Sequence, residues 1–201
     1  MSPAALASPD PSSDVVRAGW VAPSFESVYR AHVKTVARWA MRMMGPGGDF
    51  EDVVHDVFLV VKRRLPEFRG QAEITTWLYE ITVRVSQGWR RRARWWSWLT
   101  GRGQSPSRGQ VREPFPGVAE SSGDPEALLE ARERTGLLYR LLDELSEAQR
   151  TTLILFELEG LSGEQIAQIT GATIGTVWVR LSRARRRFVE RLRVCEEGDE
   201  R

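Results

Sequence analysis

Between Ser97 and Gly123 the chain reads "SWLTGRGQSPSRGQVREPFPGVAESSG", dense in glycine, serine and proline and without a sustained apolar period. Such a stretch offers neither the three- and four-residue spacing of a buried helix face nor the alternation of a strand, so it belongs to no packed core. A chain of 201 residues can form one ordinary domain or two small ones, and an interruption there points to two. The reading is of two small domains, residues 23–97 and 124–195, joined by a flexible linker over 98–123. Residues 1–22 and 196–201 are read as tails.

Both halves carry helical periodicity. Ser24 is placed to cap a helix whose apolar residues Phe25, Val28, Tyr29, Val33, Val36, Ala37 and Ala40 recur at three- and four-residue steps until "GPGG" at Gly45. Asp49 opens a second helix with Val53, Val54, Val57, Phe58 and Val61 as its buried stripe, and Pro66 lies just past its end. "PEFRGQAEI" is a loop by composition. Trp77, Leu78, Ile81 and Val85 then mark a third helix running into "GWRRRARWWSW". Trp77 shares the stripe of Ile81 and is read as core, whereas Trp89, Trp95, Trp96 and Trp98 fit packing and DNA contact equally well.

In the second half, Asp124 followed by Pro125 is an N-cap and first-turn pair. Leu128, Leu129, Leu137, Leu138, Leu141, Leu142 and Leu145 supply the stripe of the helix it starts. "SEAQ" (Ser146 to Gln149) and "SGEQ" (Ser162 to Gln165) are capping-box patterns that open two further helices. Gly171 supplies a tight turn before "ATIGTVWVRLSRARRRF", and Thr173 is a plausible N-cap for the helix that follows. Short helix, turn and longer helix make a helix-turn-helix, whose second helix enters the DNA major groove with its N-terminal residues leading. Val177, Leu181, Ala184, Phe188 and Leu192 hold that helix to its domain. The fold class expected is all-α.

A net charge of +2 conceals segregation. From Ile81 to Arg112 every charge is an arginine, the segment Glu113 to Glu164 is mostly acidic, and Arg180 to Arg193 is basic again. That pattern favours polyanion-facing surfaces. The single cysteine, Cys195, rules out an intramolecular disulfide framework and suits a reducing cytoplasm. No apolar run approaches the ~20 residues that span a bilayer, and the N-terminus lacks the basic start and apolar core of a signal peptide. The chain is therefore read as soluble, cytoplasmic and not inserted in a membrane. With two histidines, no phosphate-cradling glycine motif and no nucleophile elbow, neither an enzyme nor a metal or cofactor site is expected.

The segment "LSEAQRTTLILFELEGLSGEQIAQITGATIGTVWVRLSRARRRF" resembles region 4, the C-terminal DNA-binding domain, of the extracytoplasmic-function (ECF) group of bacterial sigma factors, above all in "GTV..RLSRAR". Independently, "DFEDVVHDVFLVVKRRLPEFRG" and "TTWLYEITVRVSQGWRRRAR" resemble region 2 of the same group. The resemblance implies a subunit that binds core RNA polymerase and carries it to promoters. Region 2 would dock on the clamp helices of the largest subunit and help open the −10 element; region 4 would bind the −35 element and the flap of the other large subunit. It also implies no catalytic residues, and sequestration by a cognate anti-sigma factor is a reasonable expectation.

The resemblance assigns the clamp contact to the helix carrying Glu51, Asp52, His55, Asp56 and Leu59, which could equally be a solvated acidic face. Holding unstacked bases falls to the loop with Phe68, Arg69, Gly70 and Gln71, and backbone contact to Arg84, Arg90, Arg91, Arg92 and Arg94. At the −35 element, the free N–H groups after Thr173, together with Thr176, suit a phosphate, and Arg180 and Arg183 suit base edges or nearby phosphates. Ser182 belongs to the same reading surface, and Arg185, Arg186 and Arg187 supply salt-dependent affinity. Trp178 and Val179 stand where the group carries polar residues and could meet thymine methyls. Arg84 and Gly88 replace the Asn and Asp common in the −10-reading helix. The rival reading is a dimeric helix-turn-helix regulator acting apart from polymerase.

Overall fold

A computed structural model describes residues 23–70, 72–100 and 125–199. The tail 1–22, most of the expected linker and the proposed cap Asp124 lie outside the described residues. Among those described there is helix and no strand. Helix α1 (Phe25–Met44) starts where the Ser24 side chain accepts from the Ser27 N–H at 3.2 Å, and stops at Gly45, whose φ of 87° lies in the left-handed region. Helix α2 (Phe50–Arg64) has Asp49 at its N-cap position, but that carboxylate makes no capping bond. Its ends are instead favoured by Glu51 and Asp52 in the first turn and Lys62, Arg63 and Arg64 in the last, each complementing the helix dipole. A single 3₁₀ turn, Leu65–Glu67, follows with Pro66.

Helix α3 (Ile74–Leu99) is longer than the sequence reading allowed. Trp98 and Leu99, assigned to the linker, continue the helix, and the Thr100 hydroxyl closes it on the Trp96 carbonyl at 2.8 Å. The second half holds α4 (Pro125–Asp143), α5 (Glu147–Leu153), α6 (Gly163–Thr170) and α7 (Ile174–Asp199). Both capping boxes form as read, with Ser146 and Ser162 each exchanging bonds with the glutamine three residues on. Helix α5 widens into a π-turn over Ile154–Leu158 before Gly160 ends it. Helix α7 runs past Cys195, so the expected C-terminal tail begins as helix.

Val36, Ala40, Val53, Val57, Val61 and Leu78 are fully buried where α1, α2 and α3 pack together. Leu142, Leu155, Ile166, Val177, Leu181 and Ala184 do the same for α4 to α7. The two cores are contiguous, and α6 packs on α3. The join rests on the C-terminal carbonyls of α1, which an isolated helix leaves without donors. The Tyr139 hydroxyl donates to the Arg42 carbonyl at 3.0 Å, and Arg150 donates to the Met43 carbonyl at 2.7 Å. In return, Arg42 donates to the Leu158 carbonyl of the π-turn at 2.7 Å and lies 2.8 Å from the Glu159 carboxylate.

Gly45 sits under the Tyr139 ring, where a Cβ would come within 2.6 Å of Cδ1. Gly45→Ala is expected to cost about 2–4 kcal/mol, from a left-handed alanine plus a displaced ring. A melting temperature within a degree or so of wild type would contradict this. Burial also pushes the Tyr139 phenol from the ordinary 10 up to about 12, partly offset by the Arg150 and Arg42 charges. The folded state thus favours the neutral phenol, a contribution intact below pH 10 and lost as pH rises towards 12. Arg150 is shifted the other way, chiefly by its own burial, which wild type and Tyr139→Phe share. The stability advantage of wild type over Tyr139→Phe should therefore shrink by about 2–3 kcal/mol across that window, measured by urea unfolding.

Candidate nucleic-acid interface

The turn between α6 and α7 is built by Gly171, whose φ of 65° ends α6 in the left-handed conformation. Thr173 then caps α7, its hydroxyl accepting from the Thr176 N–H at 3.2 Å and lying 2.8 Å from the Thr176 hydroxyl. Val177, Leu181 and Ala184 anchor α7 with almost no exposure. That leaves Val179, Ser182, Arg183 and Arg187 in solvent and Arg180 half-buried. Trp178 divides its ring between two roles. It is 46% exposed, yet it packs edge-on against Phe156 at 5.7 Å and lies over Gly163, where a Cβ would come within 2.8 Å of the indole. Arg185 is committed elsewhere, stacked 5.0 Å over the Phe156 ring and paired with Glu157 at 2.6 Å.

Along α3, Arg91 and Arg92 are exposed, and Arg84 is exposed while paired with Glu80 at 2.6 Å. Arg90 departs from its expected role on the DNA backbone. Its side chain is buried between the halves, 2.8 Å from Asp143 and 3.2 Å from Glu147, so no phosphate can reach it in this arrangement. Arg94 shares Glu147 at 2.6 Å but remains about half exposed. In the loop before α3, Arg69 is exposed and Gly70 takes a φ of 71°. Phe68 and Trp77 are both half-buried with ring centroids 4.9 Å apart, so Trp77 is packed as read and Phe68 packs with it. Gln71 lies outside the described residues.

On α2, Glu51, Asp52, His55 and Leu59 share an exposed face. Asp56 is half withdrawn from it, accepting from the Trp89 indole N–H at 2.8 Å. That bond also explains Trp89: it ties α3 to α2. The two halves enclose a cavity of about 380 Å³ lined by Arg84, Arg91 and Arg94 from α3 and Arg180 from α7. Candidate residues for both promoter elements thus face one another. Among the described residues there is no acidic, histidine or cysteine cluster able to hold a metal, and no helix is long and apolar enough to cross a membrane.

Two family models match this arrangement, "Sigma-70 region 2" over residues 28–96 and "Sigma-70, region 4" over residues 135–188. The chain is 34% identical over 146 residues to the ECF RNA polymerase sigma-E factor of Escherichia coli K12, an alignment covering 70% of this chain and 72% of that protein. The chain belongs to the ECF RNA polymerase sigma factors. The sigma-E factor of Haemophilus influenzae is 30% identical over 149 residues, covering 68% of this chain and 71% of its own. Among solved structures, RpoE of Bartonella quintana, in complex with the anti-sigma factor NepR, superposes with a TM-score of 0.59 at 23% identity, over 85% of this chain and 97% of that one. CnrH, in complex with the cytosolic domain of CnrY, gives a TM-score of 0.57 at 19% identity, over 85% and 88%.

In this sigma factor, region 2 is therefore the α1–α3 bundle, and region 4 begins within α4 and reaches into α7. As a sigma factor the chain is a transcription initiation factor and not an enzyme. A regulator acting apart from polymerase has no use for the region 2 match. Sequence reasoning missed the group that joins the regions: Tyr139, Asp143, Glu147 and Arg150. A signal was present in Arg150, which lies three residues before Leu153 on the buried face of α5.

Proposed function

We propose that this sigma factor binds core RNA polymerase, reads a −35 element with the N-terminal half of α7, and reads and helps open a −10 element with α3 and the loop before it. The single observation that best supports this is the solvent-facing Ser182, Arg183 and Arg187 on a helix whose opposite side, Val177, Leu181 and Ala184, is anchored in region 4. Thr173 and Thr176 suit a phosphate at the helix start, and Trp178 and Val179 offer apolar edges to thymine methyls. Arg69, Arg84, Arg91, Arg92 and Arg94 supply the cationic surface for the −10 element. Phe68 and Gly70 shape the loop that would hold an unstacked base.

Glu51, Asp52, His55 and Leu59 make the polymerase clamp contact, with Asp56 in a supporting place. Region 4 also carries an apolar groove of about 230 Å³, lined by Leu142, Ile154, Leu158, Phe188 and Val189 and edged by the Glu157–Arg185 pair. Its apolar floor suits a helix of a protein partner, and we assign it to the polymerase flap. The presence of anti-sigma factors in the RpoE–NepR structure supports a cognate inhibitor as a further partner. The work place of such a protein is the cytoplasm. Run-off transcription with purified core polymerase on upstream regions of the source genome tests the proposal. Discrete transcripts that need this chain support it; operator binding as a dimer, without core binding or transcripts, overturns it.

A further inference from the structure

The cavity between the two regions is lined by four guanidiniums, Arg84, Arg91 and Arg94 from α3 and Arg180 from α7, and by one carboxylate, Glu147. That carboxylate is already shared, lying 2.6 Å from Arg94 and 3.2 Å from the buried Arg90. Arg84 is paired with Glu80 at 2.6 Å, whereas Arg91 and Arg180 have no acidic partner among the described residues. Like charges gathered in a partly enclosed space repel more strongly than on an open surface, because less water screens them. The closed arrangement therefore holds a surplus of positive charge where it is unfavourable, and DNA reading, which needs Arg180 outside the cavity, leaves that surplus unexplained. The basic cleft along α7 differs. Arg183, Arg186 and Arg187 line it, but Glu190 and Glu144 stand there too and pair with Arg186 and Arg191.

The space measures about 380 Å³, within the range of a small-molecule site. Both regions build it. Gln87 of α3 donates to the Thr151 hydroxyl of α5 at 3.0 Å, and Val83 of α3 and Ile169 of α6 supply apolar lining. A DNA duplex is too large to enter. A compact ligand carrying several negative charges fits, and phosphate suits it best, because one guanidinium presents two parallel N–H donors to one phosphate group. We propose that this cavity binds a small polyphosphate anion, free or carried by a nucleotide, which bridges α3 and α7 and holds region 4 against region 2. The site rests on the charge and shape of the cavity alone. Its consequence rests on the sigma-factor reading: a chain closed on such a ligand keeps Arg180 from DNA.

The test is isothermal titration calorimetry of the full chain, without polymerase or DNA, using inorganic tripolyphosphate and, in a second series, magnesium-free ATP, both at constant ionic strength. At least one probe should saturate at one per chain and raise the melting temperature. Arg91→Ala and Arg180→Ala, one on each side of the cavity, should each weaken binding about fivefold or more. Neither change breaks an ion pair, and far-UV circular dichroism checks that both variants fold. Arg183→Ala removes the same charge from the solvent-facing part of α7 outside the cavity and should bind within twofold of wild type. Equal affinity for both probes would identify the phosphate chain as the recognised part; tighter binding of ATP would add nucleoside contacts to Val83 and Ile169. Three results overturn the proposal: neither probe saturating at one per chain; either cavity variant binding within twofold of wild type; or Arg183→Ala losing as much as they do, which would mean general attraction to a basic surface. Because polymerase and promoter are absent, failure here leaves the run-off test of the sigma reading standing, and the converse holds.

Discussion

Replacing Arg150 with methionine should destabilise the protein by about 3 kcal/mol and lower its melting temperature by about 6–12 °C. The side chain is 1% exposed and makes three contacts, one of them across to region 2. It donates to the Met43 carbonyl at 2.7 Å, lies with its Nε 3.4 Å from the Asp143 carboxylate at ion-pair distance without hydrogen-bond alignment, and stands 5.7 Å over the Tyr139 ring. Burial, together with the nearby Arg90 charge, pulls its pKa from 12.5 down to about 10, so it remains a cation at neutral pH. Methionine fills the space but returns none of this. The Met43 carbonyl loses its donor, and Asp143 and Glu147 are left with Arg90 and Arg94 against two buried or half-buried negative charges. Urea and thermal unfolding check the value. A loss below about 1 kcal/mol would mean that the cluster is nearly neutral in its net effect, as buried ion groups are when their desolvation cost matches their attraction.

Changing Arg180 and Arg183 together to alanine should reduce promoter-specific run-off transcription by about 100-fold or more, while core-polymerase binding and the melting temperature stay near wild type. Each well-placed arginine contact on a base edge is worth about 1–3 kcal/mol, so a combined loss of about 2.7 kcal/mol, enough for about 100-fold, needs no strict additivity between these neighbours one helical turn apart. Arg183 faces solvent and is available directly. Arg180 is half-buried in the cavity shared with Arg84, Arg91 and Arg94, so region 4 must move off α3 before Arg180 reaches DNA. The two single variants separate these situations. Arg183→Ala should affect promoter affinity alone. Arg180→Ala removes a base contact and also one of four like charges whose repulsion disfavours the closed arrangement, so its loss in transcription should be the larger of the two. Transcript levels within threefold of wild type in the double variant would remove both residues from the −35 surface.

The helices and their ends were legible in the chain because they depend on neighbours in sequence. Ser24, Ser146, Ser162 and Thr173 cap through bonds to residues three positions on, and Gly171 ends α6 by its own backbone freedom. Asp49 is the exception: its ψ of 63° departs from the extended backbone of the Ser24, Ser146 and Ser162 caps, and its side chain makes no capping bond. The helix-turn-helix and the two region matches were legible for the same reason: their patterns are spacings within short segments. What spacing alone could not decide was the fate of each charged or aromatic residue on a given face. Arg90, Arg91 and Arg92 are adjacent and chemically identical, yet Arg90 is buried against Asp143 and Glu147 while the other two are exposed, because only Arg90 points at a helix more than fifty residues away. Asp56 is drawn from the acidic face by Trp89, and Trp178 is half withdrawn from the reading surface by Phe156 and Gly163. Periodicity determines which side of a helix is turned inward; what waits there is supplied by distant parts of the chain, and only the tertiary structure brings them into contact.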